Sequence, residues 1–539
     1  MFNLSAYLWK FSCYLGYIFF KRNLNRIEDV QLDNLRNILK NAEGTKFGEK
    51  FTIKRNWSIQ EFQKQIPISE YNTYEDNLDR ILKGEKNVLT KSKLRRVGLT
   101  SGSSGRVKYI PFTDLLATEF NKSISVWIYG LLSSKPKLLR GSFYFSVSPT
   151  GFPEIENEYV KIGFDVDGDY LKPWERIFAD HLLVVPEWLG RIQNSDFVLY
   201  VTALRLLAAK DLTFISVWNP SFLISILELI VNKKDLLIKD LQYGKISNFE
   251  NSIATKFQNQ LRIHVPQRAE ELGNLLEKNI QWAKVWPNLS CVSLWTDSFA
   301  ENSFALLKEK LPNMNFESKG VIATEGMISI PFYTGNQGPI SLLAYTSHFY
   351  EFIDKDGAVH LPQNLIVGND YEVLLTTGGG LYRYKIGDRF LVTGYHFQVP
   401  ILKFLGRNDD ISDLVGEKIH EAFIGKELLP ELKKYDLTAS NSFLRGNLQE
   451  EKAFYELVID MKFKNNEISE LTSLLETILC HNPHYEYARK IGQLNPAKVT
   501  LSVESEKRNM GRSSTTKNRF LRSPLKTKVP SSLTSESGF

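Results

Sequence analysis

The 539-residue sequence predicts an α/β protein in two parts: a large N-terminal domain with mixed sheets and an antiparallel strand-rich portion, then a small α+β domain. Three observations predict it. Through the middle of the chain, segments with apolar residues at helical spacing alternate with short apolar strands. From Ile340 to Phe404 the pattern changes to strands separated by Gly-containing turns. The polar run Gly406-Arg407-Asn408-Asp409-Asp410 then precedes a return to mixed helix and strand. This sets a boundary between a domain over residues 1–405 and a smaller one over 406–504. With 43% hydrophobic residues, 34 Phe and 23 Tyr, there is apolar surface for more than one core.

Taken in order, Leu4 to Phe20 reads as a helix. Lys10 interrupts it, no apolar run approaches the roughly 20 residues needed to span a bilayer, and Lys21 and Arg22 follow the apolar part where a signal peptide has its charges in front. Leu4, Leu8, Phe11, Leu15 and Ile18 recur at three- and four-residue steps, so this face is expected to dock on the body, with a membrane-surface helix as the alternative. Helical patterns continue from Val30 to Leu82, broken by a turn at Gly44 and by Pro67. A short strand ends near Leu99, and a second is expected at Tyr109 to Phe112. Helices at Phe197–Ala209 and Phe222–Val231 and strands at Cys291–Trp295 and Gly320–Ala323 follow. The meander then runs through Tyr371–Thr377, a Gly378-Gly379-Gly380 turn, Leu381–Lys385, a Gly387-Asp388 turn, Phe390–Thr393 and Ile401–Phe404. A helix is expected near Ile468–Ile478.

Charge and cysteine content exclude several classes. Cys13, Cys291 and Cys480 are scattered, without metal-ligand or disulfide spacing, which fits a reducing cytoplasm. The net charge of +6 resides in the C-terminal segment: from Lys507 onward there are eight Lys/Arg against one acid, Glu536. The rest is near neutral, so a nucleic-acid-binding body has no support, and residues 505–539 are expected to form a flexible basic tail. No GxSxG elbow or cysteine-nucleophile signature points to hydrolysis. His481 and His484 adjoin the Asn482-Pro483 turn and read as structural.

Three segments carry candidate chemistry. In Thr100-Ser101-Gly102-Ser103-Ser104-Gly105-Arg106-Val107-Lys108, small residues let the backbone wrap an anion, amides and hydroxyls donate to phosphate oxygens, and Lys108 adds charge. An ordinary Ser/Gly hairpin loop is the alternative. In Ala323-Thr324-Glu325-Gly326, the Thr324 hydroxyl suits a phosphate oxygen and the Glu325 carboxylate suits magnesium, against a plain N-cap or turn. In Tyr382-Arg383-Tyr384-Lys385-Ile386-Gly387-Asp388, a turn carboxylate could accept from two vicinal ribose hydroxyls, against a hairpin with solvated charges.

Their order, with Gly406-Arg407-Asn408-Asp409-Asp410 following, resembles the adenylate-forming superfamily of acyl-CoA synthetases and luciferases. More specifically, the chain from about Leu35 to Leu494 resembles the bacterial-type branch of the Gretchen Hagen auxin-responsive family of acyl-acid amido synthetases. The resemblance is carried by Thr45-Lys46-Phe47-Gly48, Ile66-Pro67-Ile68-Ser69-Glu70-Tyr71 and Leu99 to Gly105, with Phe349-Tyr350-Glu351-Phe352-Ile353 further on. Gly380 to Asp388, Gly416-Glu417-Lys418-Ile419 and Asn482-Pro483-His484-Tyr485 complete it.

The resemblance implies ATP as co-substrate, Mg2+ as cofactor, and a small carboxylic acid and an amine, such as an amino acid, as substrates. The acid is activated as an acyl-adenylate and passed to the amine. A thioester-forming acyl-CoA ligase and a silent nucleotide- or carboxylate-binding homologue are the alternatives. It also implies site roles. Thr100, Ser101, Gly102, Ser103, Ser104, Gly105 and Lys108 would hold ATP phosphates, Thr324 the α-phosphate, Glu325 magnesium and Asp388 the ribose. Arg407, Asp409 and Asp410 fall at the hinge of a mobile C-terminal domain, and Lys517 matches the family's late catalytic lysine. Val321 stands where plant members carry tyrosine, which leaves adenine's aromatic partner to come from elsewhere if one exists.

Overall fold

The computed structural model describes the chain except for residues 1–2, 102–106, 148–156, 164–172, 193, 248–261, 278, 298–299, 336–337, 408–410, 439–440, 449, 451, 461–462, 464, 502–520 and 526–539. The chain divides into two compact units. The first comprises Met1–Thr100, Val107–Ser298 and Leu311–Arg407, and the second Ser101–Arg106, Phe299–Lys310 and Asn408–Phe539.

Helices α1 (Leu4–Arg22), α2 (Ile27–Ala42), α3 (Lys46–Phe51), α4 (Ile59–Gln65) and α5 (Glu75–Leu82) open the first unit. Strands β1 (Leu94–Ser101) and β2 (Val107–Thr113) follow as a two-stranded ribbon leading into α6 (Asp114–Ser134). Thr113 caps α6 by accepting from the Leu116 N–H at 3.2 Å. Apolar around most of its circumference, α6 is buried from Leu116 to Leu132 as a central helix should be.

Strands β3 (Ser142–Phe145), β4 (Leu212–Ser216), β5 (Cys291–Leu294) and β6 (Phe316–Ser318) form a parallel four-stranded sheet in that order. Every residue of β4 and β5 is buried, which is why these strands carry no charged residue and show no apolar-charged alternation. Helices α7 (Pro173–Leu182), α8 (Ser195–Ala208), α9 (Pro220–Asn232) and α10 (Lys234–Tyr243) complete this α/β portion.

The expected antiparallel portion is a seven-stranded sheet. Its strands are β9 (Ser329–Tyr333), β10 (Pro339–Leu343), β11 (Phe349–Ile353), β12 (Val359–His360), β13 (Asp370–Thr376), β14 (Tyr384–His396) and β15 (Val399–Arg407), in spatial order β12-β11-β13-β14-β15-β10-β9. Here the structure corrects the turn expected at Gly387-Asp388. Both residues lie inside one 13-residue strand, β14. Glu372 of β13 pairs with Arg389 and Leu374 with Lys385, so β14 carries the extra residues as a bulge, and Gly387 supplies the φ of +84° that the bulge needs. A bulge and a turn share the same Gly-Asp signal, and only pairing on both sides separates them. The strand expected at Gly320–Ala323 is shorter, β7 (Ile322–Ala323), and turns at once into β8 (Gly326–Met327).

The docking face of α1 is also corrected. The buried residues are Ala6, Trp9, Cys13 and Phe20, while Leu4, Phe11 and Leu15 are 71%, 77% and 77% exposed. Small residues decide it. A Cβ on Gly16 would lie 3.0 Å from Ser125 Cβ of α6, so Ala6 and Gly16 permit an approach that the Leu-rich face does not. Phe20 packs on Tyr345 and Phe332 at centroid distances of 4.6 and 5.4 Å.

In the second unit, β16 (Ile411–Ser412) and β17 (Ile419–His420) pair antiparallel, and β18 (Ser442–Asn447), β19 (Phe454–Ile459), β20 (Lys498–Leu501) and β21 (Leu521–Leu525) form a sheet in the order β20-β19-β18-β21. The helices Asn465–Leu479 and Pro483–Lys490 belong to the same unit. Strand β21 corrects the expectation of a wholly flexible tail. Leu521 pairs in parallel with Leu444, is buried, and donates its N–H to Glu421 at 2.6 Å. Two leucines inside a basic segment, Leu521 and Leu525, give little local signal, and the segment forms a strand because β18 offers an edge.

Candidate active site

The first unit holds a largely apolar cavity of about 300 Å³. It lies where the four parallel strands end. Phe145 closes β3, Trp218 follows β4, Trp295 follows β5 and Lys319 follows β6, and all four line it. The carboxyl ends of parallel strands are where open α/β sheets receive ligands, because the chain there turns from sheet into loops free to vary. Backbone bonds beyond the sheet hold these residues: Trp295 N–H donates to Trp218 C=O at 2.9 Å, and Lys319 N–H to Leu294 C=O at 2.9 Å. Trp9 of α1 and Phe120, Ile124 and Trp127 of α6 complete a mainly aromatic, wholly apolar wall. The ammonium of Lys319, 9% exposed, lies 4.1 Å from the Trp218 ring centroid and 5.8 Å from that of Trp127.

Thr324 also lines this cavity. Thr324 and Glu325 are the two-residue turn between β7 and β8, with Ala323 paired to Gly326, and Glu325 is 7% exposed. Gly326 follows from crowding: a Cβ there would lie 2.9 Å from His348 Nε2. That nitrogen accepts from the Met327 N–H at 3.0 Å, so Nδ1 carries the ring proton and donates it to Glu119 Oε2 at 2.8 Å. Glu119 in turn accepts from the Gly378 N–H at 2.9 and 3.0 Å. Both side chains are buried, so this network ties the Thr324-Glu325 turn to the triple-glycine turn through α6.

The family-like segments of the first unit converge. Arg383, held at a φ of +48°, pairs with Glu351 at 3.0 Å inside the protein and donates to the Gln63 and Ile66 carbonyls at 2.9 and 2.8 Å. Tyr382 stacks on Phe47 at 4.7 Å and donates to Leu89 C=O, while its own carbonyl accepts from Ser69 Oγ and Tyr74 Oη. Lys385 N–H donates to Ser69 C=O at 2.9 Å. These contacts fix the start of β14. Four residues on, Asp388 sits on the bulge, 3% exposed and opposite Arg407 of β15. Beside it, burial pushes the Glu372 carboxyl up, against the lowering influence of Lys385 and Arg389.

Of the residues singled out in the sequence, Thr324 and Glu325 share one turn, Asp388 and Arg407 face each other across β14 and β15, and Thr100 and Ser101 end β1. Lys108 of β2 lies 5.4 Å from the Tyr71 ring centroid, and the Tyr71 hydroxyl accepts from the Tyr109 N–H at 2.9 Å. Gly102, Ser103, Ser104, Gly105, Asp409, Asp410 and Lys517 lie outside the described residues. The sequence reading missed Lys319, the indoles, and the Glu119–His348 pair. A signal existed for some: Trp218 and Trp295 come within two residues of the ends of buried strands, and Glu119 is an acid inside an otherwise apolar helix face.

Comparison with known proteins places the chain in a family. Residues 17–315 match the GH3 family N-terminal domain and residues 341–407 the GH3 family central domain. The Arabidopsis thaliana indole-3-acetic acid-amido synthetase GH3.4 is 26% identical, over 74% of this chain and 70% of its own. The 4-substituted benzoates-glutamate ligase GH3.12 of Arabidopsis thaliana is 23% identical, over 74% of this chain and 72% of its own. Among solved structures, AtGH3.15 acyl acid amido synthetase in complex with 2,4-DB superposes with a TM-score of 0.67 at 18% identity, covering 96% of this chain and 94% of its own. A 2-hydroxyisobutyryl-CoA ligase shares the fold at a TM-score of 0.52 and 14% identity, covering 92% and 89%. With the N-terminal model spanning more than half of its residues and the central model directly after it, the chain belongs to the GH3 family.

Proposed function

We propose that this protein is an ATP-dependent amido synthetase that adenylates a small, largely apolar carboxylic acid and transfers the acyl group to an amine, such as an amino acid. The observation that carries the reading is the aromatic cavity at the ends of the parallel strands, with Lys319 and Thr324 both lining it. An apolar acid buries its body against Trp127, Trp218 and Trp295, and its carboxylate is drawn to the Lys319 ammonium. In the first half-reaction a carboxylate oxygen attacks the α-phosphorus of ATP, the bond to the β-phosphate breaks, and pyrophosphate leaves. In the second, the amine nitrogen attacks the acyl carbon, AMP departs with the bridging oxygen, and the nitrogen gives up a proton.

Both steps need charge neutralised and reactants aligned. Thr100, Ser101, Gly102, Ser103, Ser104, Gly105 and Lys108 are assigned to the phosphates, Thr324 to the α-phosphate and Asp388 to the ribose hydroxyls. Arg407, Asp409 and Asp410 are assigned to a hinge, and Lys517 to the catalytic lysine. Glu325 offers the carboxylate oxygen that magnesium takes alongside substrate phosphates, and the bound ion would supply neutralising charge there.

The test is pyrophosphate release with magnesium and a panel of aryl and alkyl acids, for the intact protein and Asp388→Ala. Acid-dependent release that the substitution reduces at least about a hundredfold is expected, removal of a positioning contact being worth roughly that much. Amine-dependent AMP release then identifies the amido synthetase, and coenzyme A-dependent release would instead select thioester formation. ATP binding without turnover on any acid would overturn the reading.

A further inference from the structure

The face of α1 turned away from the body is apolar along its whole length. Leu4, Phe11 and Leu15 are more than two-thirds exposed, Phe19 is 52% exposed, and Tyr7, Leu8 and Tyr14 are between 39% and 41% exposed. At 100° per residue these side chains form one stripe opposite Ala6, Trp9, Cys13 and Phe20. Helix α7 packs beside α1, tied by Ser12 Oγ to Glu175 at 3.5 Å, and adds Trp174 and Ile177, 52% and 56% exposed. An apolar stripe along a whole helix, with two more exposed apolar side chains on the helix packed beside it, marks an interaction surface.

Charge says which. From Met1 to Ile27 there is no acid, while Lys10, its ammonium 5.5 Å from the Tyr129 ring centroid, and Lys21 lie along one edge of the stripe and Arg22 ends it. On α7, Glu175 is buried, and Asp180 is the acid on its exposed side. A second copy of the chain docked on this face would bring like charges together, whereas the surface of an anionic bilayer supplies the opposite charge and an apolar layer at the right depth. We infer that α1, with Trp174 and Ile177 of α7, is a membrane-adsorbing face that lies flat on anionic phospholipid, its stripe in the acyl boundary and its lysines among the headgroups. No described helix is long and apolar enough to cross a membrane, so the association is peripheral. Most of the stripe precedes residue 17, where the family match begins.

The experiment is co-sedimentation of the full chain with vesicles of phosphatidylcholine alone and of phosphatidylcholine mixed with phosphatidylglycerol. It uses the wild type, Phe11→Ser with Leu15→Ser, and Lys21→Gln with Arg22→Gln, each with its thermal midpoint measured to show an intact fold. The expected result is binding to the anionic vesicles only, weakened by salt, at least about tenfold weaker in the Phe11/Leu15 variant and measurably weaker in the charge variant. Because the basic C-terminal segment remains in every variant, undiminished binding of the Phe11/Leu15 variant would assign the affinity to that segment and overturn the inference. Absence of binding to anionic vesicles would overturn it too. So would a concentration-dependent dimer that the Phe11/Leu15 substitutions abolish, which would make the face an interface between copies.

Discussion

At the scale of single residues, the site's character comes from one lysine among indoles. An ammonium is attracted to the face of an aromatic ring, and that of Lys319 lies 4.1 Å from the Trp218 ring centroid. If it anchors the substrate carboxylate, Lys319→Met removes a charge-assisted contact while keeping the stem's volume. The expected outcome is a KM for the acid raised at least about tenfold, with KM for ATP little changed, as measured by initial-rate pyrophosphate release. An unchanged KM would take Lys319 out of acid binding. The sequence marked Thr324, Glu325 and Asp388 because short polar motifs are local. It did not mark Lys319, since a lysine after Glu317-Ser318 looks like any solvated charge until three neighbouring strands end beside it.

At the scale of elements, the second unit holds two groups that titrate in opposite senses. His484, in the first turn of the helix Pro483–Lys490, is pushed down to about 4, first by burial and then by Lys418. The folded unit therefore prefers the neutral ring. This contributes stability that is present above the unfolded pKa of 6.5 and lost as pH falls through about 4, worth at most about 3 kcal/mol. Glu417 is pushed up, first by burial and then by Asp413, although it accepts from Tyr455 at 2.6 Å. Its contribution is present at low pH and lost as pH rises through the folded pKa. The two slopes oppose each other in mildly acidic solution. Replacing His484 by Gln leaves the slope of Glu417 alone, so the stability difference between wild type and variant is expected to shrink as pH is lowered from about 7 to about 4, measured by chemical denaturation. A difference that stays constant with pH would remove His484 from this role.

At the scale of the whole molecule, the most distant parts of the sequence meet their partners only in the folded chain. Strand β21 comes 74 positions after β18 ends, between Asn447 and Leu521, yet pairs with it in parallel. Deleting residues 521–539 uncovers the β18 edge and removes the buried Leu521. The second unit is expected to lose about 2 kcal/mol or more, seen as a lower denaturation midpoint. An unchanged midpoint would mean that β21 contributes nothing to stability. At the other end, α1 works with both faces: Trp9 lines the cavity, and the opposite stripe is the surface inferred to meet a membrane.

Features that depend on local chemistry and period could be read before any fold was known. The alternation of helix and strand, the antiparallel stretch after Ile340, the Thr324-Glu325 and Gly387-Asp388 signals and the family resemblance were all legible, because turns, caps and short motifs involve residues close in the chain. Tertiary structure decided the rest. It chose the inner face of α1, since Ala6 and Gly16 fit against α6 and a row of leucines does not. It made Gly387-Asp388 a bulge where a turn was expected, because β13 and β15 pair on either side. It assembled the cavity from the ends of four strands that lie up to 174 positions apart, between Phe145 and Lys319, and no local pattern records which strand ends become neighbours.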